Sequence, residues 1–274
     1  MEILISFIIP FIILLTVVVF IHEYGHYYYA KKYGVGVTDF SIGFGKEIFG
    51  FNDKSGTRWK FCLIPLGGYV KFFGDRNVFS QAEQAELLKK YSEEDQKKLF
   101  VVKPLYQRSL IVAAGPFANF LLAILIFAFI YMFAGKDFTP AQIQEVQPDS
   151  PAYEVGIKSG DIIKSINDKE VKSIMEVSAF INSSSSNIID IGILRNDNEL
   201  NFSVEPKVIK SEDALGNKAN KKIIGIKIAP LNEEINRQRL GPATALFYAI
   251  KETWFVIDAS WNFIISMFKG TGDT

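Results

Sequence analysis

Apolar residues crowd into two uncharged stretches of this chain. Ile3 to Ile21 (ILISFIIPFIILLTVVVFI) runs 19 positions without a charge, and Ser109 to Ala134 (SLIVAAGPFANFLLAILIFAFIYMFA) runs 26. A helix needs about 20 apolar residues to cross a bilayer core, so both are predicted spans. The first is not expected to be a cleaved signal peptide. No basic residue precedes it, no small-x-small site follows Phe20, and His22, Glu23 and Tyr24 come next. A third stretch, Ala243 to Phe268, is amphipathic. Leu246, Phe247, Ile250, Trp254, Ile257, Trp261, Ile264, Ile265 and Phe268 recur at steps of three and four, while Lys251, Glu252 and Asp258 break any spanning run. Its tryptophans favour a helix lying in the headgroup layer; a helix packed on a soluble core is the alternative.

Charge gives these segments a direction. Residues 27–108 carry 14 Lys/Arg and the chain ahead of the first span carries none, so the positive-inside rule puts 27–108 in the cytoplasm and the segment after Ala134 outside. With 30 basic against 30 acidic residues, no nucleic-acid partner is expected. The single cysteine, Cys62, excludes an internal disulfide framework and any cysteine-based metal cluster, and reads as a packed thiol.

The only two histidines, His22 and His26, bracket Glu23 in the string HEYGH, where the first apolar run ends. Four residues is one helical turn, so both imidazoles project from one face. Two ligands placed so can hold one Zn²⁺, with Glu23 beside them as general base for an attacking water. The bland reading is a pair of interfacial histidines with Glu23 paired to Lys31 or Lys32. Gly25 within the motif suits close helix packing.

A span ending in HEYGH, then SIGFGK (Ser41–Lys46) and IPLGGYVKF (Ile64–Phe72), a second span opening AAGPFANF (Ala113–Phe120), and a following polar domain together resemble the site-2 intramembrane zinc metalloproteases, most closely the bacterial regulator-of-sigma-E type. The resemblance implies His22 and His26 as zinc ligands, Glu23 as catalytic base, and Asn119 near the active site, bonded to substrate or an intermediate; helix–helix glue is the alternative for this amide in an apolar run. It also implies a third ligand, an aspartate in an LDG motif on a later span. No LDG occurs here, and Asp258 and Asp273 are poor substitutes. The chain is therefore expected to be truncated at 270–274, to hold zinc with two protein ligands, and to be inactive as it stands.

The expected architecture is a multi-spanning α-helical membrane protein with a membrane-associated β-hairpin and an inserted extracytoplasmic α+β PDZ domain. The first span with HEYGH occupies 1–30. A cytoplasmic region, 31–108, contains the hairpin (39–73) and a charged helix within Gln81–Lys98, and the second span is 109–135. In the hairpin, Ile48, Phe49 and Phe51 near Gly50, and Trp59 to Ile64 before Pro65, are predicted short strands. Gly67 and Gly68 are candidate substrate contacts if its edge adds a strand to an extended peptide; otherwise the hairpin plugs the cytoplasmic mouth. DSPAYEVGIKSGDIIKSINDKEV (Asp149–Val171) looks like the core of a bacterial PDZ domain spanning 137–230. A helix over Ile174–Ile181 and a hairpin of Ile188–Leu194 with Leu200–Val204 follow. Ile224-Gly225-Ile226 would bind a peptide's terminal carboxylate, or the domain would act as a size filter. A linker (231–242) and the amphipathic helix (243–269) complete the chain.

The implied function is zinc-dependent regulated intramembrane proteolysis in the bacterial inner membrane, with HEYGH near the cytoplasmic side. The substrate class is single-span anti-sigma factors or remnant signal peptides, after a first extracytoplasmic cut. The rivals are an inactive membrane-tethered PDZ adaptor, and a zincin whose third ligand is Glu83 or Glu86.

Overall fold

The computed structural model describes residues 4–75, 90–184, 186–212, 218–231 and 234–268. The charged stretch from 81 to 89, with Glu83 and Glu86, and Asp273 lie outside them. The chain divides into two compact units, 1–123 and 124–274.

In the first unit, Leu4–Ile8 is a π-helical turn leading into α1 (Ile9–Lys32). Pro10 lies where this π-helical turn gives way to α1, and its missing N–H suits a change of hydrogen-bond register there. The helix runs unbroken through HEYGH. Leu105–Phe133 forms the second long helix, α2, with Pro116 inside it. Both α1 and α2 are long and apolar enough to cross a membrane.

Between them, β1 (Val37–Asn52) and β2 (Arg58–Phe72) are two long strands rather than several short ones. Residues 39–42 pair with 68–71 on one side and with 58–61 on the other, and 47–52 pairs with 58–62. Two strands thus fold double into a four-ribbon sheet, ordered 47–52, 58–62, 39–42 and 68–72. Gly43 and Gly45 (φ +86°) and Gly67 (φ +135°) permit the bends, because positive φ is open to glycine without steric cost. Phe40 is fully buried beneath Trp59, their rings stacked at 4.2 Å, with Tyr27 of α1 edge-on to both. At the bent end, Ile48, Phe49, Leu63, Ile64 and Leu66 face outward. A short helical turn, Glu93–Gln96, is capped by Ser92.

The second unit contains a sheet ordered β11–β4–β5–β7–β8: Ile226–Pro230, Ala141–Val146, Ile162–Ile166, Ile189–Arg195 and Asn198–Val204. β6 (Lys169–Glu170) pairs with β5. The β5–β6 and β7–β8 connections turn on Asn167-Asp168 and Asn196-Asp197, all four at positive φ, as tight primed turns require. β3 (Lys136–Asp137) pairs with β12 (Arg237–Gln238), and β9 (Lys207–Glu212) with β10 (Lys218–Ile223). Alternate residues of the sheet (Ile143, Ile163, Ile189, Ile191, Ile193) fill the core with Val177 of a helix over Ile174–Ser183. A four-residue helix, Pro151–Glu154 (α3), starts on a Ser150 cap; Ile174–Ser183 is α4. Asp161, 1% exposed, holds Arg195 through two bonds of 2.7 Å, and Arg195 also reaches the Gly156 carbonyl. α5 (Pro242–Phe268) turns Ala245, Ala249 and Thr253 inward, the alanines packing near Ala128 and Tyr131, and leaves Leu246, Phe247, Ile250, Trp254 and Trp261 exposed.

Candidate metal centre

His22 and His26 sit one turn apart on α1, and their Nε2 atoms converge to 3.2 Å. Each ring is held from behind by α2. His26 Nδ1 lies 2.8 Å from the Ile111 carbonyl, which can only accept, so Nδ1 carries the proton and Nε2 keeps its lone pair. His22 Nδ1 lies 3.3 Å from Asn119 Nδ2. Pro116 supplies no N–H to the carbonyl of Val112, which loosens the turn of α2 behind the histidines.

Two glycines permit this approach. A Cβ at Gly25 would lie 2.8 Å from the Ala114 carbonyl carbon and 3.0 Å from Ala118 Cβ, so only glycine lets α1 meet α2 here. A Cβ at Gly115 would collide with His26 Nε2 and stand 2.7 Å from His22 Nε2, between the two converging nitrogens.

Glu23 faces the hairpin. The Val70 backbone hydrogen-bonds its carboxylate, and a Cβ at Gly68 would lie 3.2 Å from Glu23 Cγ, 2.9 Å from Val19 and 2.6 Å from the Ser41 carbonyl. Gly68 therefore lets the 68–72 ribbon reach HEYGH. Gly67 packs beneath the Phe44 ring. At the hairpin's other end, Asp53 accepts from Tyr27 Oη (2.6 Å), Trp59 Nε1 (3.2 Å), Ser55 Oγ (2.7 Å) and the backbone N–H groups of Ser55 and Thr57. Burial alone would raise its pKa, but these donors outweigh burial and hold the Asp53 carboxyl well below the usual carboxylate range.

His22, Glu23, His26, Asn119 and Gly68 thus come together in the first unit. Ile224, Gly225 and Ile226 line a groove of about 280 Å³ in the second, with Val177, Ser178 and Ile181 of α4. Gly225 (φ +78°) has its carbonyl bonded by Gln147 N–H at 2.8 Å, and a side chain there would collide with Ser150. Asp258 is ion-paired to Lys169 at 2.5 Å. Ile111, Gly115 and Val70 escape a sequence reading, because each acts through backbone or through a missing side chain.

Comparison with known proteins bears on this geometry. The family model described as peptidase family M50 matches residues 10–274. The chain belongs to peptidase family M50. This is a family of membrane-associated zinc metalloproteases. A Mesorhizobium japonicum protein named "Putative zinc metalloprotease mll0638" is 38% identical over 268 residues, covering 97% of this chain and 72% of that one. A Rickettsia conorii protein of the same description (RC0203) is 41% identical over 96% of this chain and 71% of its own length. Metalloprotease MmpA of Caulobacter vibrioides is 33% identical over 79% of this chain and 56% of its own.

The M50 residues present fit a zinc ion. Two nitrogens at zinc-ligand distance in a tetrahedral shell lie about 3.3 Å apart, close to the spacing seen. The space between them is one that a single methyl group on Gly115 would fill. Neutral imidazole nitrogens are suitable zinc donors. Among the described residues, no group of three His, Cys, Asp or Glu side chains is gathered here, so this fit rests on the two histidines alone.

Proposed function

We propose that this chain carries the two-histidine and glutamate part of a zinc endopeptidase that cuts single-span membrane proteins in or near the bilayer, after an earlier cut has removed their outer part, with the third zinc ligand supplied from outside these residues. The observation that carries this reading is the pair of Nε2 atoms 3.2 Å apart with Glu23 between them in sequence, at the end of an apolar helix. His22 and His26 are the ligands assigned within the chain. Bound there, zinc supplies Lewis acidity to the attacking water and to the scissile carbonyl. Glu23 removes the water's proton and returns it to the departing amine nitrogen. Ile111 and Asn119 hold the two imidazoles in place.

The hairpin has a substrate role in this reading. Among the described residues the 68–72 ribbon pairs on one side only, and it touches Glu23 through Val70, so an extended peptide added along it would run past the catalytic carboxylate. A peptide held in a helix hides its carbonyls in hydrogen bonds, and strand addition exposes them. The outward Ile48, Phe49, Leu63 and Leu66 suit lipid, as expected of a membrane-associated hairpin.

In the second unit, the groove between α4 and β11 suits a PDZ-type site that takes a chain end, with Ile224-Gly225-Ile226 at the carboxylate, or a domain that excludes uncut substrates by bulk. Anti-sigma factors and remnant signal peptides are the substrate class. The location is a bacterial inner membrane, with HEYGH towards the cytoplasm and the PDZ-type domain outside, as the basic loop residues favour.

Glu23→Gln tests the assignment. Cleavage of a single-span reporter should fall about 100-fold or more while bound zinc per chain is kept. Unchanged cleavage would reject Glu23 as the base. A function that survives in cells without any cleavage would favour a membrane-tethered adaptor instead.

A further inference from the structure

The two imidazoles are served differently, and the difference singles out Asn119. Behind His26 stands a carbonyl, which leaves Nε2 free to bind a cation. Behind His22 stands the Asn119 amide nitrogen, a donor, so His22 Nδ1 must accept and Nε2 must carry the proton. The resulting chain of donors runs from Asn119 to His22 Nδ1, from His22 Nε2 to His26 Nε2, and from His26 Nδ1 to Ile111. A cation between the rings requires the other tautomer of His22, with its proton on Nδ1 and an acceptor behind it. The other half of the same amide can provide one: Asn119 Oδ1 is buried and has no hydrogen-bond partner.

We propose that Asn119 is the positioning residue that sets the tautomer of His22, turning its amide so that Oδ1 accepts from His22 Nδ1–H when a cation is bound. Half a turn about the Cβ–Cγ bond exchanges the two roles without moving the backbone. Rotation about such a terminal bond is roughly two-fold, so both positions are available. An outer acceptor of this kind fixes ring orientation and raises the basicity of the ligating nitrogen. The proposal rests on the zinc assignment above, and it gives Asn119 a role on the ligand rather than on substrate.

The test is zinc affinity of the purified full chain in detergent, measured by competition with a chelator, beside thermal melting as the check of folding. Asn119→Asp keeps the acceptor and removes the donor; Asn119→Leu and Asn119→Ala remove both. Asn119→Asp should bind zinc within about threefold of the unaltered chain or more tightly, and the other two about 10- to 100-fold more weakly. Unchanged affinity in Asn119→Leu or Asn119→Ala would overturn the proposal. So would an Asn119→Asp variant as weak as those two, because it would show that the amide acts by donating or by packing. If Asn119→Leu does not fold, Asn119→Ala against Asn119→Asp decides. An unaltered chain that binds no zinc at all would instead overturn the underlying assignment.

Discussion

At the residue scale, the candidate metal centre depends as much on what is missing as on what is present. Gly115 has no side chain, and the space a Cβ would fill lies between the His22 and His26 Nε2 atoms. Gly115→Ala is therefore expected to crowd out a bound ion while leaving α2 helical, since alanine is the better helix former. Overpacking of this kind costs about 2 kcal/mol, or about thirtyfold in zinc affinity, readable by equilibrium dialysis. HEYGH and its helical spacing are plain in the sequence. Asn119 also stands out there, as an amide in an apolar run, but its partner does not. His22 is 97 residues away, and no local pattern records that distance.

At the element scale, the hairpin is fastened to α1 by Asp53. A carboxyl with a lowered folded pKa contributes stability above its unfolded pKa of about 3.9 and loses that contribution as pH falls towards the folded value. The clasp should thus be unaffected between pH 7 and about 5 and open only in strongly acidic solution. Trp59 reports on it, because its indole N–H is one of the donors. In a Trp254→Phe/Trp261→Phe background, Trp59 emission should shift only below the ordinary carboxylate range; a transition near neutral pH would contradict the assignment. Tyr27→Phe removes the 2.6 Å donor and should cost about 1 kcal/mol in thermal unfolding. Glycine and apolar runs mark this region as β in the sequence, but they suggest short strands. The long, doubled ribbons arise because glycine bends at 43, 45 and 67 turn a strand without ending its ladder.

At the scale of the whole molecule, large apolar side chains point outward from both units. In the first they cover α1, α2 and the hairpin end. In the second they form the face of α5 that carries Leu246, Phe247, Ile250, Trp254 and Trp261. Small residues, Ala245 and Ala249, take the inward positions, so α5 packs closely while its larger rings stay exposed. Its inward side is further fixed by Lys136, bonded to Glu252 at 2.8 Å, where Tyr131 also donates. An α5 that lies in the interface, as its amphipathic pattern favours, would put Trp254 and Trp261 at the headgroup layer. Reconstituted into bilayers with quencher-bearing lipids, the chain should show strong quenching of both residues. Emission indifferent to the lipid would place α5 in water or against protein.

The sequence alone determined the local features: apolar runs long enough to span, imidazoles one turn apart, and the helix and hairpin of the second unit. Each is a short-range pattern fixed by the 3.6- and 2-residue periods or by the φ that one residue can adopt. Only the tertiary structure decided which carbonyl serves His26, which amide serves His22, which ribbon meets Glu23, and why Gly25, Gly68 and Gly115 must lack a side chain. Those are contacts between segments tens of residues apart, made largely by backbone atoms. Backbone atoms are common to every residue type, so their placement leaves no mark in the sequence.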